Sequence, residues 1–121
     1  MACSVFATVL TQYPSQEIID SKIPIVDIRT PGEWRESGLV PNAIPIMFFD
    51  ERGSYNIELF LSQLQEQVDV TKPFALICHT GSRTKVVANF LSKEYGYKVT
   101  DLQGGISFVK AKKLPIVPYK K

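Results

Sequence analysis

Cys78-His79-Thr80-Gly81-Ser82-Arg83-Thr84 sets a thiol, an imidazole, a guanidinium and three hydroxyls into seven consecutive positions. An apolar run, Phe74-Ala75-Leu76-Ile77, precedes it, and a helical pattern, Val86-Val87-Ala88-Asn89-Phe90-Leu91, follows. That order reads as strand, tight loop, helix, with the cysteine at the end of a buried strand just ahead of a helix N-terminus. Unpaired backbone N–H groups at such a terminus stabilise a thiolate, the nucleophilic form of cysteine. Gly81 lets the backbone turn sharply, Ser82 is a candidate helix cap, and Arg83 adds a fixed positive charge. The segment reads as a cradle for an anion with a nucleophile at its lip.

Other chemistries find less support. His79 is the single histidine and Cys3 the only other cysteine. A metal site needs three or four ligands at suitable spacing, so no metal is expected. There is no CxxC pair for dithiol redox chemistry and no disulfide framework. Cys3 reads as incidental. No run of ~18 apolar residues marks a membrane span. Met1 to Phe6 lacks the basic and apolar regions of a secretory signal. These features point to the cytoplasm, or to the periplasm if a signal peptide has been removed. Residues 110–121 hold five lysines and no acid, so the rest of the chain nets −3 against an overall +2. Without basic and aromatic interleaving elsewhere, this reads as a solvated, partly disordered tail and not as a nucleic-acid surface.

The loop needs a scaffold, and 121 residues suffice for one domain with a hydrophobic core. Strands are expected at Val5–Leu10, Pro24–Ile28, Phe74–Ile77 and Tyr97–Leu102, and Val40–Pro45 reads as a turn followed by a short extended piece. Helices are expected at Ser15–Asp20, Pro31–Ser37, Asn56–Val68, Ser82–Tyr95 and from Gly104-Gly105 to about Lys112. In the third of these, Ile57, Phe60, Leu61, Leu64 and Val68 follow helical spacing, a stripe that packs a core. Alternating strands and helices predict an α/β fold, a mostly parallel sheet of about five strands with helices on both faces. Ligands in such sheets sit at the carboxyl ends of strands, where both Cys78 and the Asp27-Ile28-Arg29 segment fall.

Three patches together resemble the single-domain form of the rhodanese family of sulfurtransferases. Asp27-Ile28-Arg29-Thr30-Pro31-Gly32-Glu33-Trp34, followed by Gly38-Leu39-Val40-Pro41-Asn42-Ala43-Ile44, is similar to the first family motif. Cys78 to Thr84 is similar to its active-site loop, and Leu102-Gln103-Gly104-Gly105-Ile106 to its late motif. Leu39 stands where the family usually has His, Asn42 where it has Gly, and Val109 where Trp is frequent. Leu39 and Asn42 lie outside the loop and are expected to alter packing, not chemistry; Val109 is expected to fill the back of the core differently. The resemblance implies a catalytic Cys78 that takes sulfur from a donor such as thiosulfate. A persulfide would then pass the sulfur to cyanide, a thiol or a partner protein, with no cofactor.

The neighbours divide between chemistry and support. His79, Thr80, Gly81, Ser82 and Arg83 are expected to form the substrate-binding loop, with Asp27, Arg29, Glu33 and Thr84 supporting it. Arg83 either binds an anionic donor or forms an ion pair with Asp27 or Glu33. Arg29 leans towards structure, and Trp34 reads as packing. Phosphatases that share this fold use a similar loop with one residue more between cysteine and arginine. Here four residues separate Cys78 from Arg83, which disfavours phosphate. A non-catalytic interaction module is the third reading, and the presence of Cys78 argues against it.

Overall fold

The structure, a computed structural model, describes residues 9–120. Its elements run β1 (Leu10–Gln12), α1 (Gln16–Asp20), β2 (Ile25–Asp27), α2 (Pro31–Ser37), β3 (Ile44–Pro45), α3 (Ile57–Gln67), β4 (Phe74–Ile77), α4 (Ser82–Tyr95), β5 (Val99–Leu102) and α5 (Gly105–Ala111). The five strands form one sheet in the order β1-β5-β4-β2-β3, and every pairing is parallel. β4 lies at the centre because all four of its residues are apolar and are buried on both faces.

Period-two alternation assigns the two faces. Phe74, Leu76 and Cys78 join Val26, Ile28 and Val99 in one cluster, covered by Phe60 and Leu64 of α3 and by Val87, Ala88 and Leu91 of α4. Ala75 and Ile77 join Ile25 and Leu102 in the other, covered by Ile18 and Ile19 of α1 and by Ile106 and Val109 of α5. Val109 is fully buried there, so a small aliphatic side chain fills that part of the core. Burying Phe60 and Leu64 contributes about 2 kcal/mol each, well above any difference in helix propensity along α3.

Caps set the helix boundaries. The Ser15 and Asn56 side chains accept the N–H groups of Ile18 and Leu59 at 3.2 and 3.0 Å, as their position before each helix suggests. α2 starts on a capping box: Thr30 Oγ1 accepts the Glu33 N–H at 3.3 Å while Glu33 Oε1 accepts the Thr30 N–H at 3.1 Å. Gly96, at φ 70°, closes α4, and the Tyr97 N–H reaches back to the Leu91 carbonyl at 3.4 Å. That bond removes Tyr97 from the strand expected at Tyr97–Leu102, so β5 begins at Val99. The first strand lies later than expected, at Leu10–Gln12; residues 5–8 of the expected Val5–Leu10 segment, like Cys3, lie outside the described residues. Asn42 adopts φ 67°, the left-handed conformation asparagine tolerates better than most residues, which accounts for its place in a glycine position.

The basic tail differs from the solvated, partly disordered segment expected. Leu39 and Val117 exchange backbone hydrogen bonds of 2.8 and 2.7 Å, and Tyr119 sets its ring edge-on to Trp34 at 5.5 Å. Leu114 and Ile116 pack on the second core cluster. These apolar residues form one block, Leu114 to Tyr119, between two groups of lysines, and the expectation of a solvated tail rested on the lysines.

A buried ion pair ties β2 to the C-terminal end of α2. Asp27 and Arg29 are 0% and 1% exposed and meet at 2.9 Å. Arg29 also donates to Ser37 Oγ at 2.6 Å and to the Gly38 carbonyl at 2.7 Å, and the Trp34 indole N–H donates to Asp27 Oδ1 at 3.1 Å. Asp27→Ala would leave the guanidinium buried without a counter-charge. The expected cost is about 3–5 kcal/mol in urea unfolding at neutral pH. A loss under ~1 kcal/mol would show that Arg29 does not depend on Asp27.

Candidate active site

Cys78 directly follows β4, and α4 begins four residues later, so the loop between them is short. Gly81 is the N-cap of α4, at φ 100°, and Ser82 is the first helical residue; the capping role expected of Ser82 belongs to Gly81. A side chain at Gly81 would meet the Gly104 N at 2.9 Å, so the position needs glycine for its conformation and for the close approach of the late Gly104-Gly105 turn. The Gly81 N–H points at Cys78 Sγ from 3.2 Å. Among the described residues it is the backbone donor within hydrogen-bond range of sulfur. Cys78 is fully buried, beneath the loop and not at its lip.

The second support comes from α5. Its first turn donates the Ile106 N–H to the Cys78 carbonyl at 2.9 Å and the Ser107 N–H to the His79 carbonyl at 3.0 Å. A Cβ on Gly105 would collide with both carbonyl oxygens, at 2.6 Å from that of His79. The late glycine pair therefore holds the main chain at Cys78.

Arg83 resolves its two candidate carboxylates in favour of Glu33. Nη1 and Nη2 donate to Glu33 Oε1 and Oε2, each at 2.8 Å, across 50 residues of sequence. Hydrogen bonding from Arg83, together with the Thr30 N–H and hydroxyl, holds the Glu33 carboxyl well below its ordinary range, at about 2, against the opposing effect of burial. Arg83 is shifted upwards for the reciprocal reason, hydrogen bonding to Glu33 first. The guanidinium thus clamps the start of α4 to α2, through the carboxylate that caps α2. Asp27 and Arg29 satisfy one another deeper in the fold.

The remaining loop residues lie at the surface on two sides. His79 borders a small cavity of about 120 Å³ with Glu36, Ser107 and Lys110. Thr80 and Gly81 border a polar cleft of about 430 Å³ with Lys85, Asn89, Gln103 and Asp101. Thr84 sits one turn into α4 beneath the loop, its Oγ1 3.7 Å from Cys78 Sγ. The sequence reading missed Asp101, whose carboxylate accepts the Thr84 hydroxyl at 2.6 Å. An acid inside the buried strand Val99-Thr100-Asp101-Leu102 was the available signal.

The model of the rhodanese-like domain family matches residues 11–112, from β1 to the end of α5. The chain belongs to that family. It is 32% identical to an uncharacterized Rickettsia prowazekii protein, RP600, over 67% of this chain and 66% of that one, just under two thirds of the relative's length. It is 28% identical to the "Putative sulfurtransferase YtwF" of Bacillus subtilis, over 72% of this chain and 73% of that one. A rhodanese-related protein of Thermoplasma volcanium superposes with a TM-score of 0.59 at 27% identity, covering 80% of this chain and 85% of that one. The rhodanese-like fold is thus shared along most of the chain. Among the described residues no helix is long and apolar enough to cross a membrane.

The Glu33–Arg83 clamp generates a pH dependence. The Glu33 carboxyl titrates lower folded than its ordinary 4.5, so its contribution to stability is complete above pH 4.5 and is lost as pH falls towards 2. Each partner is about a quarter exposed, so the contribution is modest. Glu33→Gln is expected to lower the urea midpoint at pH 7, and the gap to the wild type should narrow between pH 4.5 and 2. An equal gap at both ends of that window would mean that the charge of Glu33 does not matter.

Proposed function

We propose that the protein is a sulfurtransferase that carries sulfane sulfur on Cys78. The supporting observation is a buried thiol at the carboxyl end of the central strand, with the Gly81 N–H 3.2 Å from its sulfur, inside a rhodanese-like domain. The Cys78 thiolate attacks the outer sulfur of a donor such as thiosulfate. A new S–S bond forms at Sγ, the S–S bond of thiosulfate breaks, and sulfite leaves with the electron pair. Cyanide or a thiolate then attacks the terminal sulfur, the Sγ–S bond breaks, and the Cys78 thiolate returns. The electrons balance within each half-reaction, and ping-pong kinetics follow.

The residues around the sulfur have separable tasks. The Gly81 N–H donates to Sγ and offsets its negative charge. The backbone bonds from Ile106 and Ser107 hold the cysteine in place while its sulfur changes partners. Arg83 has its donors on Glu33, so it anchors the loop and adds charge at a distance. Because Cys78 is fully buried, a donor reaches its sulfur by displacing side chains of the exposed residues His79, Thr80 and Ser82, with the main chain held by α5. Thiosulfate is small enough to need little displacement; a partner protein carrying a thiol would need more.

Cys78→Ser nearly preserves shape and removes the nucleophile. Its thiosulfate:cyanide transfer rate should fall to background, with the unfolding transition within ~1 kcal/mol of wild type. The unaltered protein should not turn over aryl phosphates, because the loop is one residue shorter than one that surrounds a phosphate. Transfer surviving in the serine variant, or robust phosphatase turnover by the native chain, would overturn the assignment.

A further inference from the structure

Asp101 is a buried ionisable group with no part in the sulfur chemistry above. It is 4% exposed, and it stands in register with Leu76 of β4, two residues before Cys78. Both Asp101 and Cys78 point to the α4 face of the sheet, where Thr84 lies between them. The Thr84 hydroxyl has one hydrogen and two lone pairs. Its distance to Asp101 Oδ1 is 2.6 Å, against 3.2 Å to the Gly81 carbonyl and 3.7 Å to Cys78 Sγ. The short bond to a charged acceptor claims the hydrogen. Thr84 can then only accept from sulfur, which it does when Cys78 carries its proton.

We propose that Asp101 is a positioning residue: its carboxylate takes the Thr84 hydrogen and so denies Sγ a donor, and neutralising it frees that hydroxyl for Sγ, where a thiolate, as a charged acceptor, outcompetes the neutral Gly81 carbonyl and is thereby favoured over the thiol. This rests on Cys78 being the nucleophile of the proposed reaction. The change breaks the Cys78 S–H bond and releases its proton to water; the Thr84 O–H bond stays intact and rotates from Asp101 Oδ1 to Sγ. Two effects act in one direction. A carboxylate near the sulfur opposes a second negative charge, and it takes away the Thr84 hydrogen that would stabilise that charge. Asp101 borders the polar cleft together with Lys85, so a cation seated on it from that side acts as a release.

The other charged groups around this chain are accounted for. Arg83 faces the loop side and is paired with Glu33, and Asp27 lies within the field of Arg83. His79 faces away, into the small cavity bordered by Glu36 and Lys110. An Asp101→Asn substitution alters none of these groups.

The test is the ultraviolet thiolate absorbance of the full chain against pH, with the Cys78→Ser protein subtracted to remove Cys3. Asp101→Asn should move the Cys78 midpoint to lower pH by about one unit. Asp101→Ser, which lacks the amide, should move it in the same direction and keeps the test open should the first variant misfold. In a Thr84→Val background the Asp101→Asn shift should fall below half its size. No shift, or a shift to higher pH, overturns the proposal. A shift that keeps half its size or more without the Thr84 hydroxyl overturns it too, because Asp101 would then act through space. Sulfur transfer is not part of this readout, so failure here is distinct from failure of the proposed function.

Discussion

The geometry at Cys78 depends on the contact between the first turn of α5 and the main chain of the loop. Two N–H groups that a helix start leaves without partners, those of Ile106 and Ser107, are satisfied by the Cys78 and His79 carbonyls. The contact is possible only because residue 105 has no side chain. Gly81 repeats the condition from the opposite side, pressed against the Gly104 N. With both carbonyls fixed, the peptide planes from Cys78 to Thr80 are set, and the next N–H, that of Gly81, faces the sulfur at 3.2 Å. Any β-carbon at this junction would push the loop off the helix and move that donor away from the atom it serves.

Charge is distributed around this junction in layers. Asp27 and Arg29 form the deepest pair, buried between β2 and α2, and position the helix that carries Glu33. Glu33 caps its own helix and grips Arg83 with both oxygens, so one carboxylate links the α2 start to the α4 start. Asp101 is the third acid and holds a hydroxyl instead of a cation. The first two acids have their charge offset by arginines and stabilise structure; the third holds the Thr84 hydroxyl, which lies 3.7 Å from Cys78 Sγ. That difference in partner is what the proposal for Asp101 rests on.

The parts of this arrangement visible in the sequence were those written locally. The capping box at Thr30 and Glu33, the Asn56 cap, the apolar run of β4 and the glycine that closes α4 each lie within a few residues and follow from backbone chemistry. The loop residues Cys78 to Arg83 were recognisable for the same reason. What the sequence left open required the third dimension. Arg83 had two candidate carboxylates, and only the fold, which brings the start of α2 beside the start of α4, selects Glu33 across 50 residues. The capping role passed from Ser82 to Gly81 because the late glycine turn forces the left-handed conformation one residue earlier. The tail looked solvated because its lysines dominate the composition, while the antiparallel pairing of Val117 with Leu39 joins residues far apart in sequence, which composition does not reveal. Asp101 needed knowledge of which strand neighbours β4.

The claim at the centre of this account is that Cys78 holds transferable sulfur, and intact mass tests it without assuming an acceptor. The protein is incubated with thiosulfate, desalted without reductant and weighed, and the modified residue is located by peptide mapping. The account predicts a gain of one sulfur atom on Cys78, lost on addition of cyanide and absent from the Cys78→Ser protein. An unchanged mass, or sulfur found on Cys3 alone, would contradict it.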